Sequence, residues 1–218
     1  MSYLVRYWDR VLGLVGEHLL LTLATLAIAL ALALPTGLLL ARVRPLRGPV
    51  LGLLGVVYTV PSLALFALLI PVTGLGSASA LIALVAYCQL VLVRNVVVGL
   101  DGVDPSVIEA ARGMGMGAWR RLADVEAPLA LPVVLAGVRV ALVSTIGIAT
   151  LAAWINAGGL GVLLFEGLYQ DHTAKILVGT SAVSALAIGA NVLIGRLERL
   201  AWAWAGGRTP PRSEQQPQ

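Results

Sequence analysis

The sequence predicts an all-α integral membrane protein: five transmembrane helices and one cytoplasmic helical hairpin. Three observations predict it. Of the 218 residues, 59% are apolar and only 12% charged, against about 45–50% and about 25% in a soluble domain. The mean hydropathy is +0.92. A soluble globular domain is therefore excluded, and so is a disordered chain, which needs low hydrophobicity and high charge. Second, the apolar residues fall into five runs, four of which reach the roughly 20 residues that a spanning helix needs. Third, the arginines gather on one side of those runs, as the positive-inside bias requires.

The elements follow in order. Residues 3–15 place Leu4, Trp8, Val11, Leu12 and Val15 on one helical face, with Arg6, Asp9 and Arg10 elsewhere, the pattern of a short helix lying in the interface. The first span covers about 19–41. Ala29, Ala31 and Ala33 resemble a cleavage site, but the run continues through Gly37-Leu38-Leu39-Leu40. That exceeds the about 7–15 residues of a signal core, so the segment reads as an uncleaved span. The second span covers about 50–71, with a kink expected at Pro61 and stabilised by neighbouring helices. The third covers 78–98 and reaches full length only with Arg94 and Asn95 near its end. The fourth and fifth cover about 131–154 and 176–195. Small residues recur at four-residue spacing as Ala29-Ala33-Gly37 and Ser181-Ala185-Gly189, faces that let helices approach closely in lipid. Residues 1–205 thus form a single transmembrane domain. Trp202 and Trp204 suit an interfacial belt, and the polar, Pro-rich tail 206–218 is expected to be disordered.

Orientation follows from the basic residues. Arg42, Arg44 and Arg47 follow span one; Arg94, Arg112, Arg120 and Arg121 lie between spans three and four; Arg196, Arg199, Arg208 and Arg212 lie at the tail. Only Arg6, Arg10 and Lys175 lie on the opposite side, and Arg139 falls within span four. This split of 11 to 3 puts the N-terminus outside and the segment 99–130 and the C-terminus in the cytoplasm. The net charge of +4 is accounted for by that placement, so no nucleic-acid partner is implied.

Several chemistries are missing. Cys88 is the only cysteine, so no internal disulfide forms, and His18 and His172 lie far apart without a Cys or carboxylate cluster, so no metal is expected. The only lysine, Lys175, sits between Ala174 and Ile176, which rules out a phosphate-binding loop. The string from Gly113 to Ala118 fits G-x-G-x-x-A but follows no predicted strand. No Asp, Glu or Lys falls inside the five runs, whereas proton-driven carriers place such groups at membrane depth. Sodium coupling through backbone carbonyls stays open. The chain reads as a non-enzymatic subunit without a cofactor, its energy supplied by another subunit.

The segment 94–130 is long for a loop and reads as two short helices. Asp104 and Pro105 offer a cap and a first helical residue; Ser106 with Glu109 offers a capping box instead. The first helix is expected to run to about Arg112 and to break at Gly113, Gly115 and Gly117. The second is expected over about 118–126, stopping before Pro128. Val107, Ile108, Ala111 and Met114 make an apolar face, and Arg112, Arg120 and Arg121 a basic fringe. An amphipathic hairpin on the membrane, a DNA-binding helix-turn-helix and a docking element for a soluble partner are the three readings of this pattern.

Glu109 to Pro128, EAARGMGMGAWRRLADVEAP, resembles the signature of ABC importer permeases, matching at Glu109, Ala110, Ala111, Gly115 and Pro128, with Val125 and Ala127 in place of Ile and Leu. Tyr58–Gly76, Gly99–Met116 and Thr145–Gly161 are similar to the osmoprotectant branch, which imports glycine betaine, choline, carnitine and related quaternary amines. That branch usually has Gly where Asn156 stands and often a polar residue where Val162 stands. The resemblance covers roughly residues 17–200.

It implies the type I ABC importer permease fold in a bacterial or archaeal cytoplasmic (inner) membrane. The implied partners are a second permease copy, identical or not, two ABC ATPase subunits and an external substrate-binding protein, besides the lipid bilayer. ATPase coupling would fall to Glu109, Ala110, Ala111, Arg112, Gly113, Met114, Gly115 and Pro128. Small Ala110 and Ala111 would let backbones approach, Glu109 would act as a helix-start anion, and Gly115 would permit a sharp exit. Candidate pathway-lining residues are Tyr58, Pro61, Ser62, Tyr87, Gln89, Asn95, Ser144, Thr145 and Asn191, each of which could instead bond helix to helix. Gly158, Gly159 and Gly161 are candidates for an external gate or a plain turn. A permease for methionine or another amino acid, a stand-alone channel or secondary carrier, and a scaffold that moves nothing are the competing functions.

Overall fold

The computed structural model describes residues 6–205, and every regular element among them is helical. Helix α1 (Trp8–Arg42) has 35 residues, a length of about 50 Å against a hydrocarbon core of about 30 Å. The separate interfacial helix expected over 3–15 is therefore corrected: from Trp8 onward it is the first two turns of the span, while Leu4 lies outside the described residues. The polar Glu17-His18 pair is met in part by later segments of the chain, although His18 Nδ1 is buried without a hydrogen-bond partner among the described residues. Glu17 Oε2 accepts the Gly159 N–H at 2.9 Å, and fully buried His18 sets Nε2 3.1 Å from the Ile146 carbonyl oxygen.

A 3₁₀ turn, Arg44–Leu46, with Pro45 in its first turn, reverses the chain. Arg47 then fastens the reversal. Its Nε donates to the Leu40 carbonyl at 2.7 Å and its Nη2 to the Ala41 carbonyl at 2.9 Å, while the same guanidinium forks onto Asp101 at 2.5 and 2.9 Å. The ends of the first and third spans are thereby tied together.

The second span is broken. Helices α2 (Arg47–Thr59) and α3 (Ser62–Thr73) meet at 97°. The cause is local: the residue before proline is driven out of the helical region, and Val60 adopts φ −65°, ψ 129°. The expected kink at Pro61 is thus a full break, and its freed Val60 carbonyl accepts the Tyr87 hydroxyl.

Helix α4 (Ser77–Asp101) is the hub, flanked by α1 and α7 (Ala127–Ala152), with α2 and α3 against it and α9 (Thr173–Trp204) against α7. The α1–α4 seam uses the predicted small-residue face. Ala29, Ala33 and Gly37 are all buried, and a Cβ on Gly37 would come within 2.5 Å of Val96 Cβ. In lipid such fit contributes through van der Waals packing, since the tails outside are as apolar as the seam. The other predicted face, Ser181-Ala185-Gly189, points outward. Four helical segments are long and apolar enough to cross a membrane, and the bent α2–α3 pair counts as the fifth span. The same five-span fold class was expected from the sequence.

Candidate functional site

The candidate coupling segment is built from α5 (Pro105–Gly113) and α6 (Ala118–Arg121). Asp104 caps α5: its Oδ1 accepts the Ser106 N–H at 2.9 Å and the Ser106 hydroxyl at 2.7 Å. Asp104 with Pro105 is therefore the cap that forms. Glu109 lies in the middle of the nine-residue helix, which has no acid in its first turn, so the helix-start role expected for its charge is corrected.

The exit from α5 is a Schellman turn. The Gly115 N–H bonds the Arg112 carbonyl at 2.9 Å, and the Met116 N–H bonds the Ala111 carbonyl at 3.1 Å. This closure needs a left-handed residue just past the helix, and Gly115 has φ +80°. Ala111 is buried beneath the turn, while Glu109, Ala110, Arg112, Gly113, Met114, Gly115 and Trp119 are exposed. A cleft of about 240 Å³ lined by Val103, Val107, Leu129, Val133 and Trp202 lies where this hairpin meets the bundle.

The second helix does not stop before Pro128, contrary to expectation. It runs on through a π-helical turn, Leu122–Glu126, into α7. The Ala127 N–H reaches back five residues to the Leu122 carbonyl. This wider turn accommodates the missing proline N–H. It also brings residues five apart together: Arg121 Nε donates to Glu126 Oε1 at 2.7 Å, both side chains being largely buried. Sequence reasoning missed this pair, because five-residue spacing is not a face of an α-helix.

The pathway candidates separate into groups. Tyr58, Tyr87, Ser144 and Thr145 line one small cavity of about 10 Å³, together with Leu84, Cys88 and Ile148. The tyrosine rings meet edge to face, with centroids 6.0 Å apart and planes at 75°. The Thr145 hydroxyl donates to the Ala141 carbonyl at 2.8 Å. Pro61 and Ser62 form the nearby break. Gln89 instead bonds the Ala29 and Val85 carbonyls, and Asn95 bonds the Val91 carbonyl. Asn191 is exposed on α9 and does not join the cavity.

Gly158 and Gly159 adopt φ +78° and +77°, and Asn156 adopts φ +64°. Asn is among the non-glycine residues that best tolerate this region, which accommodates it where glycine is usual. Gly161 opens α8 (Gly161–Tyr169) under a tight contact: a Cβ there would stand 1.9 Å from the Thr150 carbonyl oxygen. Beside it, Glu166 is held by Lys175 Nζ at 2.8 Å and Arg10 Nη2 at 2.5 Å, and Lys175 also donates to Gln170 at 2.8 Å. The Lys175 hydrogen bond pulls the Glu166 carboxyl below the ordinary glutamate range; partial burial opposes it and Arg10 adds to it. Within the bundle, Arg139 stands 3.3 Å from Glu198. The Arg10–Glu166 and Arg139–Glu198 ties pair charges far apart in sequence and carry no sequence signal. Among the described residues no cluster of three or more metal-ligating side chains occurs.

Residues 33–202 match the family described as binding-protein-dependent transport system inner membrane component. The chain is 42% identical over 182 residues to the carnitine transport permease protein OpuCB of Listeria monocytogenes, covering 84% of each. It is 37% identical over 199 residues to the glycine betaine/carnitine/choline transport system permease protein OpuCB of Bacillus subtilis, covering 91% of this chain and 92% of that one. It is 40% identical to the osmoprotectant import permease protein OsmW of Salmonella typhimurium over 85% and 89% of the two chains. Among solved structures, an inward-facing form of the MetNI methionine ABC transporter superposes with a TM-score of 0.80 over 92% of this chain and 99% of that one, at 22% identity. That likeness is one of fold.

Proposed function

Because this chain belongs to the family of binding-protein-dependent transport system inner membrane components, we propose that it is the permease subunit of an ATP-driven importer of quaternary-amine osmoprotectants: glycine betaine, choline and carnitine. The relatives at 35–42% identity named for these compounds support the substrate class. A methionine permease has less support, because its likeness rests on fold at 22% identity. The chain is a transport subunit rather than an enzyme. Two ATPase subunits supply hydrolysis, a second permease completes the pathway, and an external binding protein delivers the substrate.

The observation that carries this reading is the exposed α5–α6 hairpin, continuous in backbone with α7. An ATPase groove that grips Glu109, Ala110, Met114 and their neighbours moves α6. The unbroken helix from Ala118 to Ala152 then carries that displacement to Ser144 and Thr145 beside the tyrosines. This is a two-state element biased by ATP. Arg42, Arg44 and Arg47 with the hairpin mark the cytoplasmic face; Gly158, Gly159 and Gly161, with the Gly159 N–H bonded to Glu17, form the external gate. Reconstitution with ATPases and binding protein in liposomes tests the reading. ATP-dependent uptake of choline or glycine betaine is expected, and Glu109→Lys abolishes it. Uptake without ATPase, or unaltered uptake in Glu109→Lys, overturns it.

A further inference from the structure

We propose that Tyr58 and Tyr87 form an aromatic station in the pathway, where the exposed ring face of Tyr58 takes the trimethylammonium head of the passing substrate by cation–π contact. This rests on the importer reading above. Tyr58 is 45% exposed and Tyr87 only 7%. Tyr87 is fixed, because its hydroxyl is spent on the carbonyl freed at the Val60–Pro61 break and its ring backs Tyr58 edge to face. Tyr58 is thereby braced while nearly half of it stays open. The cavity behind the pair is only about 10 Å³, water-sized at most. The ligand therefore meets the outer face of Tyr58 and not that cavity.

Depth supports the assignment. Tyr58 lies about 17 Å along α2 from Arg47 by helical rise, roughly half of a 30 Å hydrocarbon core. Broken spans at that depth are where transporters build substrate sites.

The chemistry selects the ligand. No Asp or Glu occurs from Gly48 to Leu100 or from Ala127 to Phe165, so the stretches that hold the pair and its cavity carry no carboxylate. A primary ammonium brings three N–H donors that need acceptors, and these stretches offer it no carboxylate. A quaternary ammonium brings no N–H donor and binds aromatic faces. A contact of this kind is weak enough to release its cargo, as a pathway requires.

The test uses the complete importer in liposomes with saturating, choline-loaded binding protein. Tyr58 is replaced by Phe and by its mono-, di- and trifluorinated forms, which keep size while draining the ring's negative face. Phe is expected to retain uptake within about twofold, and turnover to fall stepwise to about one-fifth at three fluorines. Tyr58→Leu should be at least as slow as the trifluorinated ring. A flat fluorine series, or Tyr58→Leu as fast as Phe, overturns the aromatic station while leaving the importer reading intact. Wild-type complex that moves neither choline nor glycine betaine overturns the substrate reading, and this inference falls with it.

Discussion

Gly115 sits at φ +80° with nothing within 4 Å of where a Cβ would be. Gly115→Ala therefore acts through backbone strain alone, about 1–2 kcal/mol, concentrated in the turn that closes α5. We expect ATP-coupled uptake to fall severalfold with little change in the melting temperature of the purified chain. Gly161→Ala is the opposite case. Its Cβ would fall 1.9 Å from the Thr150 oxygen, so backbone must move, at a cost of about 1–3 kcal/mol or more, and the melting temperature itself should drop. Glu166 gives a pH prediction. Its carboxyl is held below the usual range, first by Lys175, so the ion pairs contribute stability above that range and lose it as pH falls through the lowered value. Lys175→Met removes the main cause, so the variant should be less stable than wild type at pH 7 and should lose less of its stability on acidification, the two curves converging toward acid. Thermal melts across pH 7 to 4 read this; coincident curves would remove Lys175 as the cause.

At the scale of elements, the π-helical turn is held by the largely buried Arg121–Glu126 pair. Removing one partner of such a pair leaves a charge unpaired, typically costing about 3–5 kcal/mol when burial is complete, and less here. Glu126→Ala should lower the melting temperature and the coupling of hydrolysis to uptake together, and Arg121→Met/Glu126→Met should recover part of the stability. Legibility differed among elements for physical reasons. The five apolar runs, the Asp104 cap, the Gly115 exit and the Ala29-Ala33-Gly37 seam were all readable, because each is a local pattern with a fixed period or backbone demand. The continuation of the helix past Pro128 was not, since proline ordinarily ends a helix and the π-helical turn before it has no local sequence signature. The ties of Glu17 to Gly159, Arg10 to Glu166 and Arg47 to Asp101 join residues 142, 156 and 54 positions apart. Nothing in a single sequence announces such partners. Of the pathway candidates, Tyr58, Tyr87, Ser144 and Thr145 were polar or aromatic groups inside apolar runs and did converge, whereas Gln89 and Asn95 turned to backbone carbonyls.

At the scale of the molecule, orientation is open to direct measurement. The one native cysteine, Cys88, is buried, so an introduced thiol reports alone. In intact cells an impermeant maleimide should label Asp171→Cys, and should label Ser106→Cys only after the membrane is permeabilised. The reverse pattern would invert the topology argued from the arginines. The π-helical turn has a further consequence at this scale. Each residue of an α-helix turns the chain by about 100°, so the extra residue in Leu122–Glu126 sets the angle between the α5–α6 hairpin and the side of α7 that carries Ser144 and Thr145. Deleting Ala123 would leave a straighter, more regular helix and swing the hairpin by about that angle away from any partner seated on it. Under the proposed coupling the irregularity would serve as a clutch plate: a smoother rod would still turn, but out of phase with its engine.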